Sequence, residues 1–152
     1  MAEILYVEDN VDDADIFSRL IRKLDRPVTY TILNSGSEAV EYLSGQGRYL
    51  NQVNPLPKLM LLDLNLVGMS GFDVLEWVRS TDRTRWLSIV AFSTSDNPTD
   101  IRKAYEAGTN AYIVKPGTYQ ATGTLLQRLC HFWLDDNLRS DSHDYITRPA
   151  AG

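Results

Sequence analysis

Apolar residues follow two rhythms along this chain. Five short runs, at residues 3–8, 28–33, 58–63, 87–93 and 110–115, are dense in Ile, Leu, Val and aromatic side chains. Short unbroken apolar runs predict strands. Ile4-Leu5-Tyr6-Val7, Leu59-Met60-Leu61-Leu62 and Ala111-Tyr112-Ile113-Val114 contain no charged position, as expected of central strands covered on both faces. Between the runs, apolar positions recur at helical spacing. Ile16, Leu20, Ile21 and Leu24 trace one face of a first helix, and Ala39, Val40 and Leu43 a short second one. Phe72, Val74, Leu75 and Val78 predict a third, ending near Ser80-Thr81-Asp82. Ile101, Ala104 and Tyr105 predict a fourth, with Gly108 placed as its C-terminal cap. Leu125, Leu126, Leu129, Phe132 and Trp133 predict a fifth, whose start Thr122-Gly123 weakens.

Regular strand–helix alternation predicts an α/β fold: a parallel sheet with helices on both faces and right-handed crossovers. The expected architecture is a flavodoxin-like, doubly wound, five-stranded parallel sheet of order 2-1-3-4-5 with five helices. Ser44–Pro57 holds two glycines and two prolines and reads as a long surface loop. Residues 1–134 are expected to form one domain, and 135–152 a polar C-terminal tail.

Composition narrows the function classes. A chain of 152 residues suffices for one real core. A net charge of −5 argues against a broad nucleic-acid-binding face. No segment approaches the roughly 20 apolar residues of a membrane span, and no leader is expected before the first strand. Cys130 is the one cysteine, so no intramolecular disulfide forms, and a reducing, cytoplasmic setting is expected. His131 and His143 lack the spacing of a zinc site.

The candidate chemistry lies where the apolar runs stop. Glu8-Asp9 follows the first run, Asp63 the third, Ser93 the fourth and Lys115 the fifth. In open parallel sheets, ligands bind outside the carboxyl ends of the strands, where the strand order reverses. In the expected order that point lies between the first and third strands, so Asp9 faces Asp63. Three crowded carboxylates repel one another, and at least one pKa rises unless a cation joins them. Mg²⁺, a hard ion that takes oxygen ligands and keeps several waters, suits such a site better than Zn²⁺. An aspartate beside it can attack phosphorus, with Lys115 as a point charge and the Ser93 hydroxyl as a donor to the phosphoryl oxygens.

Taken together, Ile4-Leu5-Tyr6-Val7-Glu8-Asp9-Asn10, Leu61-Leu62-Asp63-Leu64-Asn65-Leu66, Met69-Ser70-Gly71-Phe72, Ser93-Thr94 and Lys115-Pro116 resemble the receiver domain of two-component response regulators. The resemblance spans about residues 2–134, and the intervals Asp63 to Ser93 and Ser93 to Lys115 match that family as well. It implies Asp63 as phosphoacceptor, Asp9 as a direct Mg²⁺ ligand, Glu8 as a ligand through water, and the Asn65 backbone carbonyl as a further ligand. It implies Ser93 as the switch hydroxyl, Lys115 as the phosphate-binding lysine and Tyr112 as a rotating aromatic. It also implies a cis Lys115–Pro116 bond, a form found in only about 5–6% of X–Pro bonds. The implied donor is a histidine kinase, and the implied output is a changed partner or homodimer surface around the fourth helix, fifth strand and fifth helix. The long loop before the third strand, Thr94-Ser95 and Phe132-Trp133-Leu134 are similar to single-domain regulators that serve phytochrome-type kinases.

Some positions depart from the family pattern. Val67 stands where proline is usual, Thr94 where Ala or Gly is usual, which narrows access to the acceptor, and Ser93 where Thr is commoner. Plainer readings compete at other positions. Asp12 and Asp13 near the start of the first helix are expected to complement its dipole, with a metal role as the alternative. Tyr112 reads equally as a core aromatic, and Ser93 as a turn residue. Phe132 and Trp133 are neighbours on a helix, about 100° apart, so one of them is expected at the surface. Two rival functions remain. A haloacid-dehalogenase-like phosphatase would need an acid where Asn65 stands, and a degenerate receiver would act as a phosphorylation-independent binding module.

Overall fold

The computed structural model describes residues 2–50 and 55–140. Five strands, β1 (Ile4–Val7), β2 (Tyr30–Leu33), β3 (Leu59–Leu62), β4 (Ile89–Ser93) and β5 (Ala111–Val114), alternate with five helices. These are α1 (Val11–Ile21), α2 (Gly36–Ser44), α3 (Gly71–Ser80), α4 (Pro98–Ala107) and α5 (Tyr119–Cys130). All strand pairs are parallel, in the order β2-β1-β3-β4-β5, as the alternation predicts.

Each helix begins on a side chain suited to start it. Asn10, Ser35, Asn97 and Thr118 cap α1, α2, α4 and α5 by accepting a backbone N–H of the first turn. Ser70 and Asp73 form a reciprocal capping box at α3. Gly108 ends α4 with a φ of 110°, a left-handed conformation that favours glycine.

The strands' period of two sorts their continuous apolar runs into two cores. Leu5, Val7, Met60, Leu62, Ile89 and Ala91 face α2, α3 and α4, where Leu43, Val74, Leu75 and Ala104 meet them. Ile4, Tyr6, Leu59, Leu61, Val90 and Phe92 face α1 and α5, meeting Phe17, Leu20, Leu126 and Leu129. Each such side chain contributes about 1.5–3 kcal/mol on burial. Gly123 explains why a helix survives its presence: a Cβ there would sit 3.1 Å from Leu20 Cδ2, so its bareness lets α5 lie close on α1.

Two expectations need correction. The run 111–114, apolar as a central strand would be, is instead the edge strand that the expected order 2-1-3-4-5 makes it. β5 is the sheet edge, its residues only half-buried and Val114 exposed, whereas β4, with Ser93 at its end, is wholly buried. An edge strand covered by two helices can be as apolar as a central one, so composition alone did not separate them. The tail also starts later than residue 135. The helix after Cys130 widens into a π-helical turn over His131–Asp136, and Arg26 Nε holds Asp135 at 2.9 Å. The expected tail beyond residue 140 lies outside the described residues. As expected for adjacent helical positions, Phe132 is exposed while Trp133 packs against the α1–α5 core. The expected loop Ser44–Pro57 contains one short helical turn, Gly47–Tyr49.

Candidate functional site

β1 and β3 lie side by side in a register that pairs Val7 with Leu62. The next residues therefore leave adjacent strands together, and carboxylate oxygens of Glu8, Asp9 and Asp63 come within 4.8 Å of one another. Glu8 and Asp63 are buried, and Asp9 is half-buried. Backbone donors hold all three acids: Asn65 N–H reaches Asp63 Oδ1 at 2.9 Å, Val67 N–H reaches Asp9 Oδ2 at 2.8 Å, and Asn10 N–H reaches Glu8 Oε2 at 3.3 Å. The loop carrying those donors turns at Gly68 (φ 79°), so the departure from proline at Val67 supplies an N–H that ties the loop to Asp9.

Beneath the end of β3 lies α3. A Cβ on Gly71 would fall 2.4 Å from the Asp63 carbonyl oxygen and 2.6 Å from Leu64 Cα. Glycine is the residue that lets the helix start sit directly against the backbone of Asp63.

Lys115 leaves β5 and crosses to the acids over the ring of Phe92. Its ammonium donates to Glu8 Oε1, to Asp13 Oδ2 at 2.8 Å and to Asp63 Oδ2 at 3.1 Å. With its side chain only 10% exposed, the pairs to Glu8 and Asp63 are largely dry, whereas the Asp13 side chain is 36% exposed. Burial disfavours the ammonium, but Asp13, Glu8 and Asp63 outweigh it and raise the lysine pKa. Burial, followed by the neighbouring Asp63, pushes Glu8 up to about 7, the rise expected of crowded carboxylates. Burial also works against the charged form of Asp63, but Glu8, the Asn65 N–H and Lys115 hold its pKa below the ordinary value. Asp63 is thus the acid of the pair that stays ionised.

The site contains two groups whose roles here the sequence did not give. Tyr6, two residues before Glu8 on the same side of β1, donates its hydroxyl to Glu8 Oε1 at 2.9 Å. Asp13, read as a helix-dipole residue, instead grips Lys115. The signal for both was periodicity: i−2 on a strand and one turn into the helix that follows it.

The remaining predicted residues surround this centre. Ser93 is fully buried, and its Oγ accepts the Ser95 N–H at 3.2 Å. Among the described residues it makes no side-chain hydrogen bond to Asp63 or Lys115, although its carbonyl accepts the Lys115 N–H at 2.7 Å. Thr94 is exposed beside it. The Tyr112 hydroxyl donates to the Ser95 carbonyl at 2.8 Å, tying β5 to the loop after β4, and its half-buried ring packs on the α2–α4 core. Pro116 departs from expectation: no described peptide bond is cis, so Lys115–Pro116 is trans, the form favoured intrinsically by about 0.5–1 kcal/mol.

Three carboxylates supply only hard oxygen donors, with Asp9 the half-buried one, a donor set that fits Mg²⁺. The phosphatase reading lacks its acid: Asn65 offers Asp63 a backbone N–H and no proton-donating carboxyl.

Comparison with known proteins agrees with this geometry. The family model for the response regulator receiver domain matches residues 4–127. The probable methanogenesis regulatory protein FilR2 of Methanothrix harundinacea is 31% identical over 88% of this chain and 84% of its own length. Response regulator Rcp1 of Synechocystis is 31% identical over 97% of this chain and 93% of its own, and its Mn²⁺-bound crystal structure superposes with a TM-score of 0.81. The phosphorylated cyanobacterial phytochrome response regulator RcpA is 30% identical, covers 92% of this chain and 99% of its own, and gives a TM-score of 0.84. The sheet order, the acids on adjacent strand ends and a match over most of the length lead to one conclusion: this chain belongs to the response regulator receiver family.

Proposed function

We propose that Asp63 accepts a phosphoryl group from the phosphohistidine of a histidine kinase, with Mg²⁺ as cofactor. The observation that carries this is the convergence on one carboxylate of two further acids and an ammonium ion. An Asp63 oxygen attacks phosphorus, the P–N bond breaks with its electron pair leaving on the imidazole nitrogen, and an acyl phosphate results. Asp9, Asp63 and the Asn65 carbonyl would hold Mg²⁺, with Glu8 acting through a water. When bound, the ion neutralises charge on the transferring oxygens. Lys115 is already at Asp63 Oδ2 and supplies a second positive charge there. Thr94, exposed at the mouth, narrows the approach.

The new charge, about −1.5 to −2 by analogy with other phosphorylated side chains, draws on Lys115 and on the Ser93 hydroxyl. Both are bonded to neighbouring backbone, and Tyr112 joins the same loop at Ser95, so the pull reaches the β4–α4 loop and β5. The surface this biases is the α4–β5–α5 face, where Tyr105, Val114 and Tyr119 are exposed. A changed partner or homodimer affinity there is the output. Similarity to Rcp1 and RcpA makes a phytochrome-type kinase the donor we favour, in a bacterial cytoplasm. The protein acts as a signalling switch rather than as an enzyme on an external substrate.

The test is incubation with a small phosphodonor and Mg²⁺, read by intact mass. Wild type gains one phosphoryl group and Asp63→Asn gains none. Equal labelling of both proteins would remove Asp63 from the account.

A further inference from the structure

The Lys115 ammonium has three N–H donors, and three carboxylates take them: Glu8, Asp13 and Asp63. Two of those acids belong to the cluster that would hold a cation. Asp13 lies outside it. Its backbone is fixed, because its N–H donates to the capping Asn10 Oδ1 at 2.9 Å, so α1 sets where its carboxylate stands. On the other side of the lysine, between α1 and the start of α5, is a cavity of about 210 Å³ lined by Tyr6, Phe17, Phe92 and Pro116 as well as Asp13 and Lys115. The lysine therefore has somewhere to go once its grip on Glu8 and Asp63 weakens. A dication on those two acids weakens it twice, by engaging their charge and by repelling the ammonium.

We propose that Asp13 is a positioning residue: it tethers the Lys115 ammonium at Asp63 when Glu8 and Asp63 are engaged by a cation, and so keeps the lysine available to the incoming phosphoryl group. This rests on the reading of Asp63 as the acceptor. Asp13 touches neither the phosphoryl group nor the cluster oxygens, and it acts through the lysine. Asp12 provides the internal control. It carries the same charge on the same turn of α1, is exposed, and makes no hydrogen bond or ion pair among the described residues.

The experiment uses the full chain as wild type, Asp13→Asn, Asp13→Glu and Asp12→Asn, with two readouts. In metal-free buffer, proton-detected nitrogen NMR follows the Lys115 ammonium. Its protons persist in wild type and Asp12→Asn, exchange faster in Asp13→Asn, and are protected again in Asp13→Glu. With Mg²⁺ and a small phosphodonor, the initial rate of phosphorylation falls about tenfold in Asp13→Asn, the loss of one charge-assisted hydrogen bond. It recovers in Asp13→Glu and is unchanged in Asp12→Asn. On a Lys115→Ala background, Asp13→Asn has no further effect. If Asp13→Asn behaves like Asp12→Asn in both readouts, or slows the reaction equally without Lys115, the proposal is overturned. If wild type takes up no phosphoryl group, the acceptor reading fails, while the ammonium signal still decides whether Asp13 holds the lysine.

Discussion

Lys115 balances a cluster that would otherwise be purely anionic. Glu8, Asp13 and Asp63 all reach its ammonium, and Asp9 stands close behind. Removing one partner of a buried ion pair costs about 3–5 kcal/mol, because the other charge is left uncompensated. Here Glu8, already raised to about 7, can take up a proton and relieve part of that cost. Lys115→Ala should therefore destabilise the metal-free protein by about 2–3 kcal/mol at neutral pH, and Mg²⁺ should restore part of the loss. Urea unfolding with and without Mg²⁺ checks this, and an unchanged midpoint would contradict it. Single residues were unevenly legible in the sequence. Glu8, Asp9, Asp63 and Lys115 stand out because charge interrupts apolar runs. Asp13 was hidden because an acid in the first turn of a helix already has an ordinary explanation in the dipole. Only the tertiary approach of β5 gives it a second partner.

Among the elements, α3 shows how one missing side chain positions a site. Even at a helix's first residue, where Gly71 stands, a glycine is ordinarily no better than alanine, and in an interior it loses about 1 kcal/mol to it. At Gly71 the sign reverses, since a Cβ would lie 2.4 Å from the Asp63 carbonyl oxygen, and backbone cannot swing aside as a side chain can. Gly71→Ala should cost about 1–3 kcal/mol and slow phosphorylation of Asp63, because relief of the clash moves the acceptor. Thermal unfolding and the phosphodonor assay measure the two effects, and a stabilised, fully active variant would refute the argument. Helix starts were readable from Asn10, Ser70 and Thr118, whose short polar side chains precede apolar periodicity. The edge position of β5 was readable from the expected strand order but not from its composition, because what buries a strand is the number of neighbouring layers.

Across the whole molecule, the sheet is clasped at the end opposite the site. Glu3, just before β1, accepts from both terminal nitrogens of Arg26, from the Thr29 backbone and from Lys58, drawing together the starts of β1, β2 and β3. Hydrogen bonding to Arg26 holds its pKa at about 2, against burial that would raise it. The folded value lies below the unfolded one, so the unfolded chain binds the extra proton. Stability from this group is complete above the unfolded pKa of about 4.5 and is lost as pH falls toward about 2. With its side chain 19% exposed and partly screened, we expect about 1–2 kcal/mol. Glu3→Gln should be destabilised by that amount at neutral pH, and the gap from wild type should close on acidification through this window. A gap that persists at the acid end would assign the effect to something other than this charge. Sheet order and the two-sided core were legible from alternation alone, since right-handed crossovers leave few topologies open. The helical continuation through Asp135 and Asp136 was not, because the π-helical turn and the Arg26–Asp135 pair depend on α1 and α5 lying together.

The account stands on Asp63 as the atom donor to phosphorus, and the direct measurement is chemical mapping of the modified residue. The protein is phosphorylated with a small phosphodonor and Mg²⁺, reduced with borohydride to convert an acyl phosphate to an alcohol, digested and sequenced by mass spectrometry. The account predicts homoserine at position 63 alone, dependent on Mg²⁺. Homoserine at position 9 or 13 instead, the five-carbon alcohol 2-amino-5-hydroxypentanoate at position 8, or a phosphoryl group on a hydroxyl or a histidine, would contradict it.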